Sequence, residues 1–215
     1  MNHAAEILLR AAGVAVALGL WFWTQRLISR KAPAGPGPGD RLHDLTQPLN
    51  AWLVAHPRAA NATLIVSSAF IDLIGLYLIA ASVFGPTLRP FVALLLLFGL
   101  RQLCQGLCTL PLPPGVIWRD PGFPSLLVTY GTSNDFFFSG HTAIAVLGAL
   151  ELGQAGPEWI VMAAGIVALL EAATVLVLRA HYLMDIFTAA FVAWGCEAAA
   201  ERLAPTLDTW CRALL

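Results

Sequence analysis

The chain has 215 residues, of which 58% are hydrophobic and only 12% charged, with a net charge of −1 and a mean hydropathy of +0.74. A soluble domain carries about 25% charged residues, so a water-soluble globule is excluded, and the balanced charge gives no footprint for a nucleic-acid partner. What remains is an all-α, polytopic membrane protein.

Spans of about 20 apolar residues are the unit to look for. The first runs from about Ile7 to Ile28 and ends in Trp21, Trp23, Arg26, Arg30 and Lys31, an aromatic and basic interfacial anchor. Its apolar run is too long for a signal peptide, and no small-residue cleavage site follows it before Gln25-Arg26. Residues 32–39 alternate proline with small residues and read as a linker. In Asp40 to Leu53, Leu42, Leu45, Leu49, Trp52 and Leu53 recur at helical spacing among polar residues. A short helix on the membrane surface is expected there, bent or interrupted at Pro48. His43 and His56 have no partner motif nearby and read as ordinary surface histidines.

The second and third spans cover about 62–84 and 90–107, joined by a Gly85-Pro86 turn. Thr109 to Asp135 is too polar and too rich in proline and glycine to cross, and a loop of that length in a compact chain is usually functional. The fourth span starts near Phe136 and ends before Gly153; the fifth runs from Gly156-Pro157 to Leu178, and the sixth from about Tyr182 to Leu203. Six transmembrane helices with an interfacial helix after the first are therefore expected. Residues 109–140 and 179–185 then lie on the same side of the membrane, because two spans separate them.

Charges within the spans need partners or a function. Asp72 and Arg101 stand in neighbouring spans and either form an ion pair or leave Arg101 to face a phosphate. Glu171, some ten residues before His181 and about 15 Å deeper at 1.5 Å per residue, reads as a packing carboxylate. Glu197 and Glu201 read as interfacial. Cys104, Cys108, Cys196 and Cys211 have no histidine at ligand spacing and read as small buried hydrophobes, so neither a metal nor a cofactor is expected.

Two segments carry chemistry: Asp135-Phe-Phe-Phe-Ser-Gly-His-Thr142 and His181-Tyr-Leu-Met-Asp185. Residues four apart share a helix face, so Asp185 can accept from one imidazole nitrogen of His181 and leave the other available. His181 can then attack an electrophile or take a proton from water, and His141 can protonate a leaving oxygen. The Ser139-Gly140 turn at a helix start offers N–H groups and a dipole to an anion. Arg101, Arg119 and Arg179 are near enough in sequence to add cationic contacts. Together these residues point to phosphoryl transfer on a lipid head group at one membrane interface.

The two segments resemble the signature motifs of the sphingomyelin synthases, a branch of the phosphatidic acid phosphatase type 2 superfamily. Arg101-Gln-Leu-Cys-Gln-Gly-Leu-Cys-Thr-Leu-Pro-Leu-Pro-Pro114 resembles the synthase segment in which an arginine precedes Thr-Leu-Pro-x-Pro. The resemblance covers about residues 100–190. It implies a membrane catalytic core over 61–215, preceded at 1–60 by the first span, the linker and the interfacial helix. It further implies a phosphohistidine formed on His181, oriented by Asp185, with His141 as the acid, no metal, and Arg101, Asp135, Ser139, Gly140, Thr142 and Arg179 around the substrate. The Lys-x6-Arg-Pro motif of the broader phosphatases is absent, Val175 stands where their arginine would precede the nucleophile, and Asn134 replaces the synthases' glycine.

The resemblance places the site on the exoplasmic side. The basic residues point the other way: Arg26, Arg30, Lys31, Arg41, Arg58, Arg119 and Arg179 share the site's side, against Arg10, Arg89, Arg202 and Arg212 opposite. Three functions stay open. One is a phosphotransferase or phospholipase C-like enzyme acting on a phospholipid with a lipid or water acceptor, of the sphingomyelin or ceramide phosphoethanolamine synthase kind. Another is a phosphatase of phosphatidic acid-like monoesters, and a third is a non-catalytic lipid-binding protein. Small-residue helix faces also permit a homo-oligomer.

Overall fold

The computed structural model describes residues 3–30, 37–130 and 137–214. Among them the chain forms seven helices and no strand: α1 (His3–Ile28), α2 (Arg41–Ala55), α3 (Pro57–Phe84), α4 (Arg89–Leu107), α5 (Gly140–Ala155), α6 (Glu158–Val177) and α7 (Leu183–Leu214). In hydrocarbon a backbone must satisfy its own hydrogen bonds, which is why the apolar stretches become helices. Five of those described, α1, α3, α4, α6 and α7, are long and apolar enough to cross a membrane, and the chain is an integral membrane protein.

The expected fourth crossing is the exception. Helix α5 has 16 residues, about 24 Å at 1.5 Å per residue, against a hydrocarbon core of about 30 Å. Among the described residues length and composition thus support five crossings. Helix α5 still runs from His141 at the site end to Glu151 beside Arg89 at the other, so that α5 and α6 together return the chain to the site end. The shortening is local: Ser139 leaves the helix to cap it, so α5 starts at Gly140. At the other extreme α7 runs on past the expected end, through Pro205, to Leu214.

Helix α1 lays Arg10, Val14, Trp21, Gln25 and Ile28 against the bundle at helical spacing and leaves most of its surface apolar and outward. The core lies between α3, α4, α5 and α7, around Ile71, Leu78, Leu97, Leu147, Ala189 and Ala193. Small residues on α7, Ala189, Ala193, Cys196, Ala200 and Ala204, are buried and let neighbouring backbones approach closely. The end of the bundle away from the paired motifs holds its charges in pairs. Arg89 meets Glu151 at 2.7 Å and Arg10 meets Glu6 at 2.6 Å, while Asp208 accepts from the Leu88 N–H at 2.8 Å. Glu197, expected at the interface, is buried and accepts from Gln154.

The Asp72–Arg101 ion pair does not form. The Asp72 carboxylate accepts from the backbone N–H groups of Leu126 and Leu127, each at 2.8 Å, and pins the long loop to α3. Glu171 does act as a packing carboxylate, taking the Ser67 hydroxyl at 2.5 Å. No disulfide forms among the described residues; Cys196 is buried, but Cys108 is exposed just past the end of α4.

Candidate active site

The turn from α6 to α7 sets the position of His181. Helix α6 closes with Ala180 N–H donating to the Val175 carbonyl at 2.9 Å and Arg179 N–H to the Leu176 carbonyl at 3.0 Å. This is the Schellman pattern, whose left-handed position normally holds glycine. Here it holds Arg179, at φ +57°, a conformation that costs a non-glycine residue about 1–2 kcal/mol. His181 follows two residues later. Its Nδ1 lies 3.5 Å from Asp185 Oδ2, in ion-pair reach and on the side facing the start of α7. Asp185 is fully buried, and its Oδ2 accepts from the Tyr182 N–H at 2.9 Å. The carboxylate therefore fixes the turn and stands within ion-pair reach of the ring.

The start of α5 is built against this turn. Ser139 caps the helix, its Oγ accepting from the Thr142 N–H at 3.2 Å and from the Thr142 hydroxyl at 3.0 Å. The Ser139 N–H donates to the Asp185 carbonyl at 3.3 Å. Ser139 and Thr142 thus use their polar groups on each other and on the α7 turn. Arg101 reaches over from α4, its Nε–H donating to the Phe138 carbonyl at 3.0 Å. A Cβ placed on Gly140 would stand 3.3 Å from the guanidinium carbon. Only a glycine lets the guanidinium lie this close to the helix start.

Arg101, Gly140, His141 and His181 line one cavity of about 40 Å³. The histidines are 7% and 5% exposed, and Arg101 is 5% exposed. Nε2 of His141 is buried with no hydrogen-bond partner among the described residues. Trp118 from the long loop meets the His141 ring edge-on at 5.2 Å, and Val128 and Thr129 complete the wall. That loop folds over the site because it is tied down along its length: Ile117 N–H to the Leu178 carbonyl at 2.7 Å, Tyr130 to Ser68, and the Asp72 contacts above. Among the described residues no group of three or more His, Cys, Asp or Glu is arranged to hold a metal ion.

Helix α2 is where the sequence reading needs correction. Leu45, Leu49 and Trp52 do face outward, but His43, Asn50 and Leu53 face the protein, and Pro48 is accommodated within an unbroken helix. His43 is not a surface residue. It is buried, and its Nε2–H donates to the His181 carbonyl at 2.9 Å; a carbonyl only accepts, so that nitrogen carries the proton. Asp40 caps two helices at once, with Oδ1 accepting from Leu42 N–H at 2.9 Å in α2 and Oδ2 from Leu183 N–H at 2.6 Å in α7. Asn50 Nδ2 bridges the carbonyls of Gly115 and Val177. Gly115 stands at φ +79°, and a Cβ there would lie 2.8 Å from Asn50 Oδ1. His56 is exposed and stacks on Trp52, as expected of a surface histidine.

Arg179, expected among the substrate contacts, is instead buried and donates to the His43 carbonyl. Burial lowers its pKa, while Asp40 and Asp44 act to raise it. Burial likewise pushes the Tyr182 phenol above its ordinary value, with Asp185 and Asp40 adding to the effect. Arg119 is on the surface, bonded to Asn61. Asp135 lies outside the described residues. The capping pattern of Asp40 was the available sequence signal for α2; nothing in sequence said that its carboxylate would also reach α7.

An all-α integral membrane protein with two buried histidines, an arginine and a helix start around one cavity is the class that fold and site define. Residues 40–202 match the model of the AtPDCT1/2 family, and the chain belongs to that family. The match takes in α2, and it names AtPDCT1/2 and not the sphingomyelin synthase branch. The chain is similar to phosphatidylcholine:diacylglycerol cholinephosphotransferase 1 of Arabidopsis thaliana, at 24% identity over 176 residues, covering 82% of this chain and 56% of the relative. It thus spans about half the length of the curated relative it matches. No solved structure matches.

Proposed function

We propose that the protein is a membrane lipid phosphotransferase that moves a phospho-head group from a phospholipid to a lipid hydroxyl, with diacylglycerol as the acceptor, through a phosphohistidine on His181. The observation that carries this reading is the convergence of His141, His181, Arg101 and the start of α5 on one buried cavity. Membership of the AtPDCT1/2 family and the relative's printed activity support the choice of acceptor.

With Nδ1 facing Asp185, Nε2 of His181 carries the lone pair that attacks phosphorus. The P–O bond to the glycerol breaks as His141 gives a proton to the departing oxygen, and diacylglycerol leaves. An incoming hydroxyl then returns its proton to His141 and attacks the same phosphorus, and the P–N bond breaks to restore His181. Arg101 and the N–H groups at the start of α5 offset the charge that builds on the phosphoryl oxygens. Asp185 holds the ring and stabilises the charge it acquires. Following the resemblance to the synthases, the site faces the exoplasmic side.

The test reconstitutes the full chain in liposomes with head-group-labelled phosphatidylcholine and chain-labelled diacylglycerol. Phosphatidylethanolamine as donor, ceramide as acceptor and phosphatidic acid as a monoester form parallel arms, all beside His181→Ala. Head-group label on the labelled diacylglycerol, lost in His181→Ala, is the expected result. Turnover of phosphatidic acid alone would favour a phosphatase. Identical behaviour of wild type and His181→Ala on every lipid would end the catalytic reading.

A further inference from the structure

A second cavity, of about 270 Å³, lies between α1, α3 and α4. Its walls are apolar apart from Thr24 and Gln102. Trp21, Phe98, Leu127 and Ile144 line both this cavity and the catalytic one, so a single layer of side chains divides them. The polar lining sits at the catalytic end: Gln102 follows Arg101 on α4, whereas Phe91 lies about 16 Å deeper at 1.5 Å per residue. Two buried polar atoms at that end, Nε1 of Trp21 and Oε1 of Gln102, have no hydrogen-bond partner among the described residues. Buried polar groups are rarely left so.

We infer that this cavity binds an acyl chain of the diacylglycerol moiety. The inference rests on the reading of the protein as a phosphotransferase between glycerolipids. The polarity gradient matches a glycerolipid lying with its chain deep and its glycerol at the catalytic end, which brings the reacting oxygen beside His141. In the scheme above the lipid that leaves and the lipid that accepts carry the same diacylglycerol moiety. One chain site beside the histidines therefore serves both half-reactions in turn.

Gly99 provides the means to fill the cavity. It lines the wall, and a Cβ built on it meets nothing within 4 Å. The experiment reconstitutes the full chain in liposomes with two photoreactive probes, a diacylglycerol and a phosphatidylcholine, each with a diazirine in the chain, and maps adducts by mass spectrometry. Adducts from either probe are expected on the cavity-lining positions of α1 and α4, at Val14, Ala17 and Trp21 and at Leu94, Phe98 and Gln102, displaced by unlabelled diacylglycerol. Comparing the two probes shows which lipid supplies the chain. Labelling falls about tenfold in Gly99→Leu, because overfilling a packed space is unfavourable. Ala17→Phe, on the opposite wall, gives the same loss if Gly99→Leu fails to fold. In His181→Ala labelling persists. Labelling without transfer by wild type would retain the cavity assignment and reject the phosphotransferase. Adducts spread over the outward faces of the helices, or unchanged by either filling substitution, would overturn the assignment.

Discussion

The backbone N–H of Ser139 donates to the backbone carbonyl of Asp185 at 3.3 Å, and this bond ties the start of α5 to the start of α7. The two motifs stand some forty residues apart in sequence, so the separation of His141 from His181 depends on it. Ser139→Ala keeps the bond and removes only the cap, so the protein should lose about 1 kcal/mol of stability, seen as a lower Tm, while transfer is retained. Ser139→Pro deletes the N–H, and transfer should collapse. Full transfer by Ser139→Pro would show that the histidines are positioned by other contacts.

Arg101 and Gly140 form the next dependence. A methyl on Gly140 must push the guanidinium, 3.3 Å away, off the helix start. Displacements well under 1 Å in a positioned group are enough for about a tenfold fall in kcat/KM, and that is the expected result for Gly140→Ala. Arg101→Lys loses the Nε donor and the planar fork, and kcat should fall about 10²- to 10³-fold. Normal kinetics in both variants would remove Arg101 from charge stabilisation.

Arg179 makes opposing contributions to stability. Its left-handed backbone is unfavourable, while its guanidinium holds α2 against the catalytic turn through the His43 carbonyl. Arg179→Ala keeps the first and loses the second; Arg179→Gly loses both. The glycine variant should therefore be more stable than the alanine variant by about 1 kcal/mol, read from denaturation in detergent. Equal stabilities would mean that the turn relaxes out of the left-handed region once the side chain is gone.

Cys108 reports the side of the membrane. It is exposed at the site end of α4, whereas Cys211 sits in the last turn of α7 at the opposite end. With an exoplasmic site, a membrane-impermeant maleimide should modify a variant retaining Cys108 alone in intact cells, and one retaining Cys211 alone only after permeabilisation. The reverse pattern would place the site in the cytoplasm, where the clustered basic residues point.

The sequence by itself determined the membrane class, the helices and the end of the bundle at which the motifs meet. Apolar runs have no other way to satisfy their backbone in lipid, and an even number of crossings returns the chain to the same side. It also paired Asp185 with His181 by their spacing of four. His181, however, precedes α7, which starts at Leu183, and it is the turn and not a shared helix face that brings the two within 3.5 Å. Contacts between distant segments were a different matter. Asp72 left Arg101 for two backbone N–H groups of the loop, and Arg179 turned from the cavity to α2. His43, a lone histidine in a polar stretch, proved to hold the His181 carbonyl. A buried polar group takes whichever partner the packed helix ends bring within about 3 Å. Spacing along the chain does not state that distance; only the tertiary structure decided it.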